Sequence, residues 1–256
     1  LKLLGEDPLI MATVGRDFGT YRERLRGLRI SDRCIAELPE TLCAQAYITT
    51  DLDDNQITAF HPGAMEHAHV NAVPKDAGVK LGIVSPDGRQ GMIDHATQFV
   101  AAGIPFIFDP GQGMPMFGGD DLRNFVTQAT WVTLNDYESR LLCERTGWTE
   151  MDVASRVQAL VVTRGAQGST VFTAGRRIDI PPVKPAAVRD PTGCGDAYRA
   201  GILLGLLRGM PWEAAGRLAS LIGAIKVAAQ GTQNHEFSLQ GIATAYRSEF
   251  GHALPL

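Results

Sequence analysis

Apolar runs and amphipathic stretches alternate along most of this chain. Short continuous apolar runs, which suit buried β-strands, occur at residues 9–14, 81–84, 105–108, 131–134 and 160–163. Each of the first four is followed by a stretch with apolar positions at helical spacing, at residues 18–28, 90–102, 122–129 and 137–145. Such alternation is typical of a parallel sheet covered by helices on both faces. The pattern predicts an α/β fold.

One early segment departs from this alternation. Residues 44–50 and 56–60 are predicted as two strands, joined by the turn-forming run Asp51-Leu-Asp-Asp-Asn55. We expect a small hairpin at residues 43–62 that projects from one α/β domain spanning residues 1–256. Its apolar alternation predicts one covered and one open face, the covered one formed by Ala46, Ile48, Ile57 and Ala59.

A later segment is rich in β-formers and then gives way to helices. Residues 168–188 are punctuated by Gly175 and by several prolines. Three helices are predicted after it, at residues 196–207, 212–229 and 240–250.

Composition narrows the class of protein. The 256 residues are 45% hydrophobic and carry a formal net charge of −4, as in an ordinary soluble globular protein. No apolar run approaches the roughly 18 residues of a membrane span, and no basic block with interleaved aromatics suggests nucleic acid. We therefore expect neither a membrane nor a nucleic-acid partner. The four cysteines are widely spaced without a CxxC pair, which indicates a reducing, cytoplasmic setting.

The sharpest local signal is the run Asp190-Pro-Thr-Gly-Cys-Gly-Asp196, which leads into an apolar helical stretch. Glycines let the backbone pass close to a ligand, and the free N–H groups of a first helical turn attract an anion. Asp196 falls in that turn, where the helix dipole favours a carboxylate in any case. Two interpretations stay open: an anion-binding cradle, or a glycine-rich turn with a capping aspartate.

Two further candidates follow predicted strands. Asn135 and Glu138 sit where a helix begins, so they suit a capping box, although ligands also bind at the carboxyl ends of strands in open α/β sheets. The run Thr163-Arg-Gly-Ala-Gln-Gly168 could admit a nucleotide against its backbone or form a tight turn between strands. GxxxxGK[ST], HExxH, GxSxG and a GxGxxG after a strand are all absent, which removes the commonest phosphate-loop, metalloprotease, hydrolase and dinucleotide signals.

In this order, the three segments resemble the ribokinase-like (pfkB-type) family of carbohydrate and nucleoside kinases. Residues 190–196 resemble its D-T-x-G-x-G-D signature with Pro191 replacing the commoner threonine, residues 135–138 match N-x-x-E, and residues 163–168 match T-x-G-x-x-G. Residues 49–63 and 108–113 look most like bacterial nucleoside kinases of the adenosine type.

That resemblance implies a three-layer α/β fold, with a mostly parallel central sheet, helices on both faces and a β-hairpin lid. Family chains begin with a strand and further lid segments that do not precede Leu1. The resemblance therefore also implies a longer parent chain whose N-terminal part is missing here.

The resemblance further implies transfer of the γ-phosphoryl group of ATP to a primary hydroxyl. Asp196 would act as the base, and the amides of Gly193, Cys194 and Gly195 would form an anion hole. Phosphoryl transfer depends mainly on positioning and charge stabilisation, so such a cradle needs no Walker lysine. The implied nucleotide-binding residues are Asn135 near the phosphates, Thr163, Gly165 and Gly168 along the ATP groove, and Ser220 and Gly223 beside the adenine.

Metal sites are implied in the same way. Glu138 would organise Mg²⁺ through water, since Mg²⁺ keeps several waters and bridges phosphates. Asp190 and Thr192 match positions that hold a monovalent cation, K⁺, in some members of the family, together with nearby carbonyls that include the one of Ala229. Lys226 stands where a small residue is usual, which counts against K⁺ in this chain.

We therefore predict an ATP-dependent kinase that phosphorylates the 5′-hydroxyl of a nucleoside. A sugar kinase of the ribokinase or fructokinase type and a catalytically silent nucleotide-binding homologue are the alternatives. The lid would pair two copies in a homodimer, and this role is compatible with catalysis.

Overall fold

The computed structural model describes residues 1–50 and 56–256. Its strands are β1 (Ala12–Gly15), β2 (Ile35–Leu38), β3 (Gln45–Thr50), β4 (Gln56–His61), β5 (Gly82–Val84), β6 (Phe106–Phe108), β7 (Trp131–Asn135), β8 (Ala159–Thr163), β9 (Ser169–Thr173) and β10 (Arg176–Ile180). Its α-helices are α1 (Gly19–Gly27), α2 (Arg89–Ala101), α3 (Gly119–Gln128), α4 (Asp136–Thr146), α5 (Glu150–Ala154), α6 (Cys194–Leu207), α7 (Trp212–Val227) and α8 (Leu239–Phe250).

A six-stranded sheet forms the centre, in the order β10-β9-β8-β7-β6-β5. Strands β5 to β8 are parallel, whereas β9 and β10 run antiparallel to their neighbours. The predicted mostly parallel sheet is therefore confirmed, and its carboxyl ends lie along one edge, where ligands bind in open α/β sheets. No helix among the described residues is long and apolar enough to cross a bilayer.

Helices cover both faces of this sheet, as predicted. Phe106 and Phe108 are buried in a core shared with α2, α3 and α4, whereas Ile107 between them is buried against Tyr198 and Ile202 of α6. Successive side chains of a strand point to opposite faces, so one short strand anchors both layers. Each such fully buried side chain contributes about 1.5–3 kcal/mol of burial energy.

Two glycines set how closely α6 approaches α7. A Cβ on Gly201 would lie 2.5 Å from the Cα of Ala219, and one on Gly205 would lie 2.4 Å from the Cβ of Ala215. Because these contacts are far below van der Waals distance, only glycine permits the observed packing. The close contact fixes α6, whose first turn carries the sequence motif ending at Asp196.

The elements before the central sheet differ from prediction in two places. Residues 9–14 were expected as one strand, but β1 begins at Ala12, and Leu9 makes only an isolated bridge to Ser31. Strand β2, which pairs with β1 in parallel, was not predicted because its side chains are half-buried or exposed and lack a continuous apolar run. Farther along the chain, between β7 and β8, the short helix α5 was not predicted either.

Of the hairpin expected at residues 43–62, the structure describes the two strands, with β3 antiparallel to β4; the connection at residues 51–55 lies outside the described residues. The expected covered face is wrong. Ala46 pairs with Phe60 and Tyr47 with Ala59. Cross-strand partners share a face, so this register separates Ala46 and Ile48 from Ile57 and Ala59. Within one chain both faces stay open, and the large exposed side chains are Tyr47, Ile48, Ile57 and Phe60.

Candidate active site

The turn before α6 forms a cradle of free amide groups. Gly193 is the N-cap and has φ +86°, a left-handed conformation that favours glycine. The amide of Cys194 donates to the carbonyl of Pro191 at 3.1 Å, so the turn itself uses one of the predicted anion-hole donors. Among the described residues, the amides of Gly193, Gly195 and Asp196 have no acceptor. They combine with the helix dipole to favour an anion.

Asp196 lies in the first turn of α6 with its side chain exposed. Arg199 follows one turn later on the same helix face. Gly195 leaves the space that this arginine occupies, since a Cβ there would lie 2.6 Å from Arg199 Nη1. The cradle therefore has a carboxylate at its mouth and a guanidinium beside it.

A buried ion pair holds that guanidinium in place. Nη2 of Arg199 donates to Oδ1 of Asp109 at 2.6 Å, and Nε contacts the second carboxylate oxygen. Asp109 is only 4% exposed and follows β6 directly. Burial raises the pKa of Asp109 to about 6, although the charge and the hydrogen bond of Arg199 oppose the rise. Nη2 also lies 3.9 Å from Oε2 of Glu138, so one cation links the ends of two strands to α6.

Asn135 and Glu138 form the capping box that their spacing allows. The amide of Glu138 donates to Asn135 Oδ1, and the backbone and side-chain nitrogens of Asn135 donate to the two carboxylate oxygens of Glu138, each at 2.8 Å. The carboxylate is mostly buried at the carboxyl end of β7. A carboxylate has about four lone-pair positions, so Glu138 still has capacity to accept hydrogen bonds from water. That donor set fits Mg²⁺ bound largely through water and phosphate oxygens.

A groove of about 420 Å³ leads from the 163–168 turn to the cradle. A Cβ on Gly168, which has φ +83°, would lie 2.2 Å from the carbonyl oxygen of Ile180, so only glycine fits this turn. The opposite wall is apolar and suits the face of a planar base. Cys194 and Gly195 line the groove's end at α6. Five predicted nucleotide-binding residues line it: Thr163, Gly165, Gly168, Ser220 and Gly223. Asn135 does not.

Asp190 and Thr192 were predicted to hold a monovalent cation. They belong to a hydrogen-bond network that already contains a charged group, the ammonium of Lys226. The carboxylate of Asp190 accepts from the amides of Thr192 and Gly231, each at 2.9 Å. These hydrogen bonds, followed by the charge of Lys226, lower its pKa. Nζ of Lys226 donates to the carbonyl oxygen of Asp190 at 2.8 Å. The residues present do not fit K⁺, because the ammonium group of Lys226 already occupies the carbonyl oxygens of Asp190 and Ala229 that the ion would need.

Comparison with known proteins gives this geometry its context. The model of the pfkB family of carbohydrate kinases matches residues 1–237. The chain belongs to this family. The nucleoside kinase of Methanocaldococcus jannaschii is 30% identical over 237 residues, which are 92% of this chain and 78% of that protein.

Solved structures of the family include the nucleoside kinase of Burkholderia thailandensis in complex with inosine. It is 49% identical and superposes with a TM-score of 0.95, over 98% of this chain and 84% of that one. The same enzyme in complex with ADP-inosine is also 49% identical with a TM-score of 0.95, over 99% and 80% of the two chains. The fold is therefore the ribokinase-like one that the sequence motifs implied.

Two charged residues of this site, Asp109 and Arg199, were not among the predicted site residues. Asp109 follows a short apolar strand, and Arg199 interrupts the apolar start of α6. A charged residue in each of those positions was the available signal. They are 90 residues apart in the sequence, so their pairing becomes visible only once the fold packs α6 against the sheet face that β6 contributes to.

Proposed function

We propose that this protein transfers the γ-phosphoryl group of ATP to the 5′-hydroxyl of a nucleoside. The observation that carries the proposal is the groove at residues 163–168, which ends at the uncapped start of α6 beside Asp196. Support for the acceptor comes from the 49% identical kinase solved with inosine and with ADP-inosine. A purine nucleoside such as inosine is therefore the first substrate to test.

In the proposed step the carboxylate of Asp196 accepts the proton of the 5′-hydroxyl. The hydroxyl oxygen forms the new bond to phosphorus while the bond between the γ-phosphorus and the β,γ-bridging oxygen breaks, and ADP carries the departing electron pair. Amides of Gly193 and Gly195, with Cys194 shaping the turn between them, stabilise negative charge on the transferred group. Preorganised donors of this kind lose little energy to reorganisation during the reaction.

Arg199 adds a fixed positive charge beside these amides. Its guanidinium is held by Asp109 and faces Glu138, so it cannot swing into solvent without breaking a buried ion pair. Glu138, oriented by Asn135, would hold Mg²⁺ through water, and the ion would supply neutralisation of the phosphate charges. Thr163, Gly165, Gly168, Ser220 and Gly223 would bind the nucleotide along the groove.

The family also phosphorylates sugars, which makes a sugar kinase the second candidate. A screen of ADP release separates the two: purified protein with ATP and magnesium is offered inosine, adenosine, ribose and fructose in parallel. We expect turnover with a nucleoside and a 5′-monophosphate as the product in ³¹P NMR. Turnover confined to a sugar contradicts the proposed acceptor, and ATP binding without ADP release from any of them indicates a catalytically silent homologue.

The proposal extends to assembly and location. The exposed apolar side chains of the β3–β4 hairpin, Tyr47, Ile48, Ile57 and Phe60, would be covered by a second hairpin in a homodimer. Sedimentation equilibrium of the wild type and of Ile57→Asp is the direct test, and a monomer in both contradicts the lid dimer. We place the reaction in the cytoplasm, where ATP is supplied and where the four unpaired cysteines stay reduced. The proposed reaction involves no nucleic-acid partner.

A further inference from the structure

Lys226 is fully buried in the last turn of α7, with an exposed fraction of 0%. Its Nζ donates to the carbonyl oxygen of Asp190 at 2.8 Å and lies 3.5 Å from that of Ala229. Among the described residues it forms no salt bridge with a carboxylate. A buried ammonium is costly unless its environment compensates the charge. Here backbone carbonyl dipoles provide the compensation, as they do for a bound monovalent cation.

The position of this ammonium matters because Asp190 begins the motif that ends at Asp196. The same carbonyl oxygen of Asp190 also accepts a weak contact from Cys194 Sγ at 3.9 Å. On the other side, the carboxylate of Asp190 accepts from the amide of Gly231 at 2.9 Å. Lys226 and Asp190 thus join the 190–193 turn to the 229–231 loop, directly behind the amide cradle.

The cradle is sensitive to movement of these loops. The carbonyl oxygen of Thr232 lies 3.1 Å from where a Cβ on Gly193 would stand, so the 229–232 segment packs against the N-cap itself. A shift of either loop would re-aim the free amides of Gly193 and Gly195. Positioning of about 1 Å can change a rate by roughly a hundredfold.

We propose that the Lys226 ammonium is the resident cation of this loop junction and makes catalysis independent of potassium. The inference rests on the proposed kinase function. Lys226 acts as a positioning residue: it fixes the backbone that carries the anion hole and does not touch substrate. A second monovalent cation would need the same carbonyl oxygens and would be repelled by the ammonium at close range.

The test replaces potassium with tetramethylammonium at a constant ionic strength of about 0.1 M, so that screening stays fixed. For the wild type with inosine and magnesium-ATP, we expect kcat to change by less than about twofold across the series, since a preorganised site needs no added ion. Severalfold activation by KCl overturns the inference. Absence of turnover in every salt instead contradicts the proposed function, and the two failures are thereby distinct.

Lys226→Met supplies the second arm, with Lys80→Met at an exposed lysine as the matched control. We expect kcat to fall roughly 10- to 100-fold in Lys226→Met, with KM for inosine nearly unchanged, since the loss is one of positioning. Circular dichroism and thermal melting establish that the variant is folded. A folded Lys226→Met with wild-type kcat overturns the inference.

A third measurement needs no catalysis. A ligand that binds only the native state raises the melting temperature. Since we expect no potassium to bind, the melting temperature of the wild type should be the same in KCl and in tetramethylammonium chloride. A clear rise in KCl shows a potassium site and contradicts the resident-ammonium account.

Discussion

Replacing Gly195 by alanine should damage the active site while leaving the fold intact. The added Cβ would lie 2.6 Å from Arg199 Nη1, against the 3.4 Å at which ordinary contact begins, so the guanidinium must retreat by about 0.8 Å. That retreat stretches the ion pair with Asp109, whose Nη2–Oδ1 distance is 2.6 Å. A displacement of this size corresponds to a fall in kcat of roughly 10- to 100-fold.

The same substitution has two opposed effects on stability. Alanine in a helix is more favourable than glycine by about 0.5–1 kcal/mol. Weakening the buried hydrogen bond from Arg199 to Asp109 costs about 1–3 kcal/mol. We therefore expect Gly195→Ala to be less stable by about 1 kcal/mol, which is small enough for the variant to remain folded.

Coupled ADP release with inosine measures kcat, and urea unfolding measures stability. Gly19→Ala is the matched control, because Gly19 opens α1 and a Cβ there meets nothing within 4 Å. It should keep wild-type kcat and lose no stability. If Gly195→Ala keeps kcat within about twofold, the placement of Arg199 does not contribute to catalysis and that part of the account is refuted.

Two more predictions concern the buried carboxylate and the groove. Burial raises the Asp109 pKa from 3.8 to about 6, so between these pH values the native state binds more protons than the unfolded state. The contribution of Asp109 to the free energy of unfolding therefore falls as pH rises through that window. Urea unfolding should show the free-energy difference between the wild type and Asp109→Asn falling by about 2 kcal/mol from pH 4 to pH 6; a difference that grows with pH contradicts the sign. A side chain added at Gly223 would enter the groove, since only Cys194 O lies within 4 Å of its Cβ position. Gly223→Leu should therefore raise KM for ATP by about tenfold or more, equivalent to at least 1.4 kcal/mol, and leave KM for inosine unchanged. The control Gly27→Leu, at an exposed position of α1, should alter neither KM. An unchanged KM for ATP in Gly223→Leu argues against nucleotide binding at this position.

The sequence was a good guide wherever local pattern and burial coincide. Strand β8, whose four apolar residues are fully buried, and the helices of the central layers were predicted within a few residues. The Asn135–Glu138 box was also foreseeable, since its spacing of three residues is a local property. The groove residues were predicted from motifs in which the backbone requires glycine. At Gly168, for example, a Cβ would clash with the carbonyl oxygen of Ile180.

Features that depend on distant partners were not predictable in this way. The hairpin register follows from cross-strand pairing, and a different register would have reunited Ile48 and Ile57 on one face. Arg199 and Asp109 meet because α6 packs on the sheet at β6, and Lys226 contacts a carbonyl oxygen of the 229–231 loop. In each case the composition of the segment is compatible with several environments, and only tertiary packing selects one.

The central claim is that Asp196, at the mouth of the amide cradle, takes the proton from a nucleoside hydroxyl. The most direct test is kcat for inosine-dependent ADP release by Asp196→Asn, with Asp120→Asn as the control because Asp120 is likewise exposed in a first helical turn, that of α3. We predict a fall of roughly 10²- to 10⁴-fold for Asp196→Asn, as expected on loss of a general base, and wild-type kcat for Asp120→Asn. A folded Asp196→Asn that retains near-normal kcat would contradict the account.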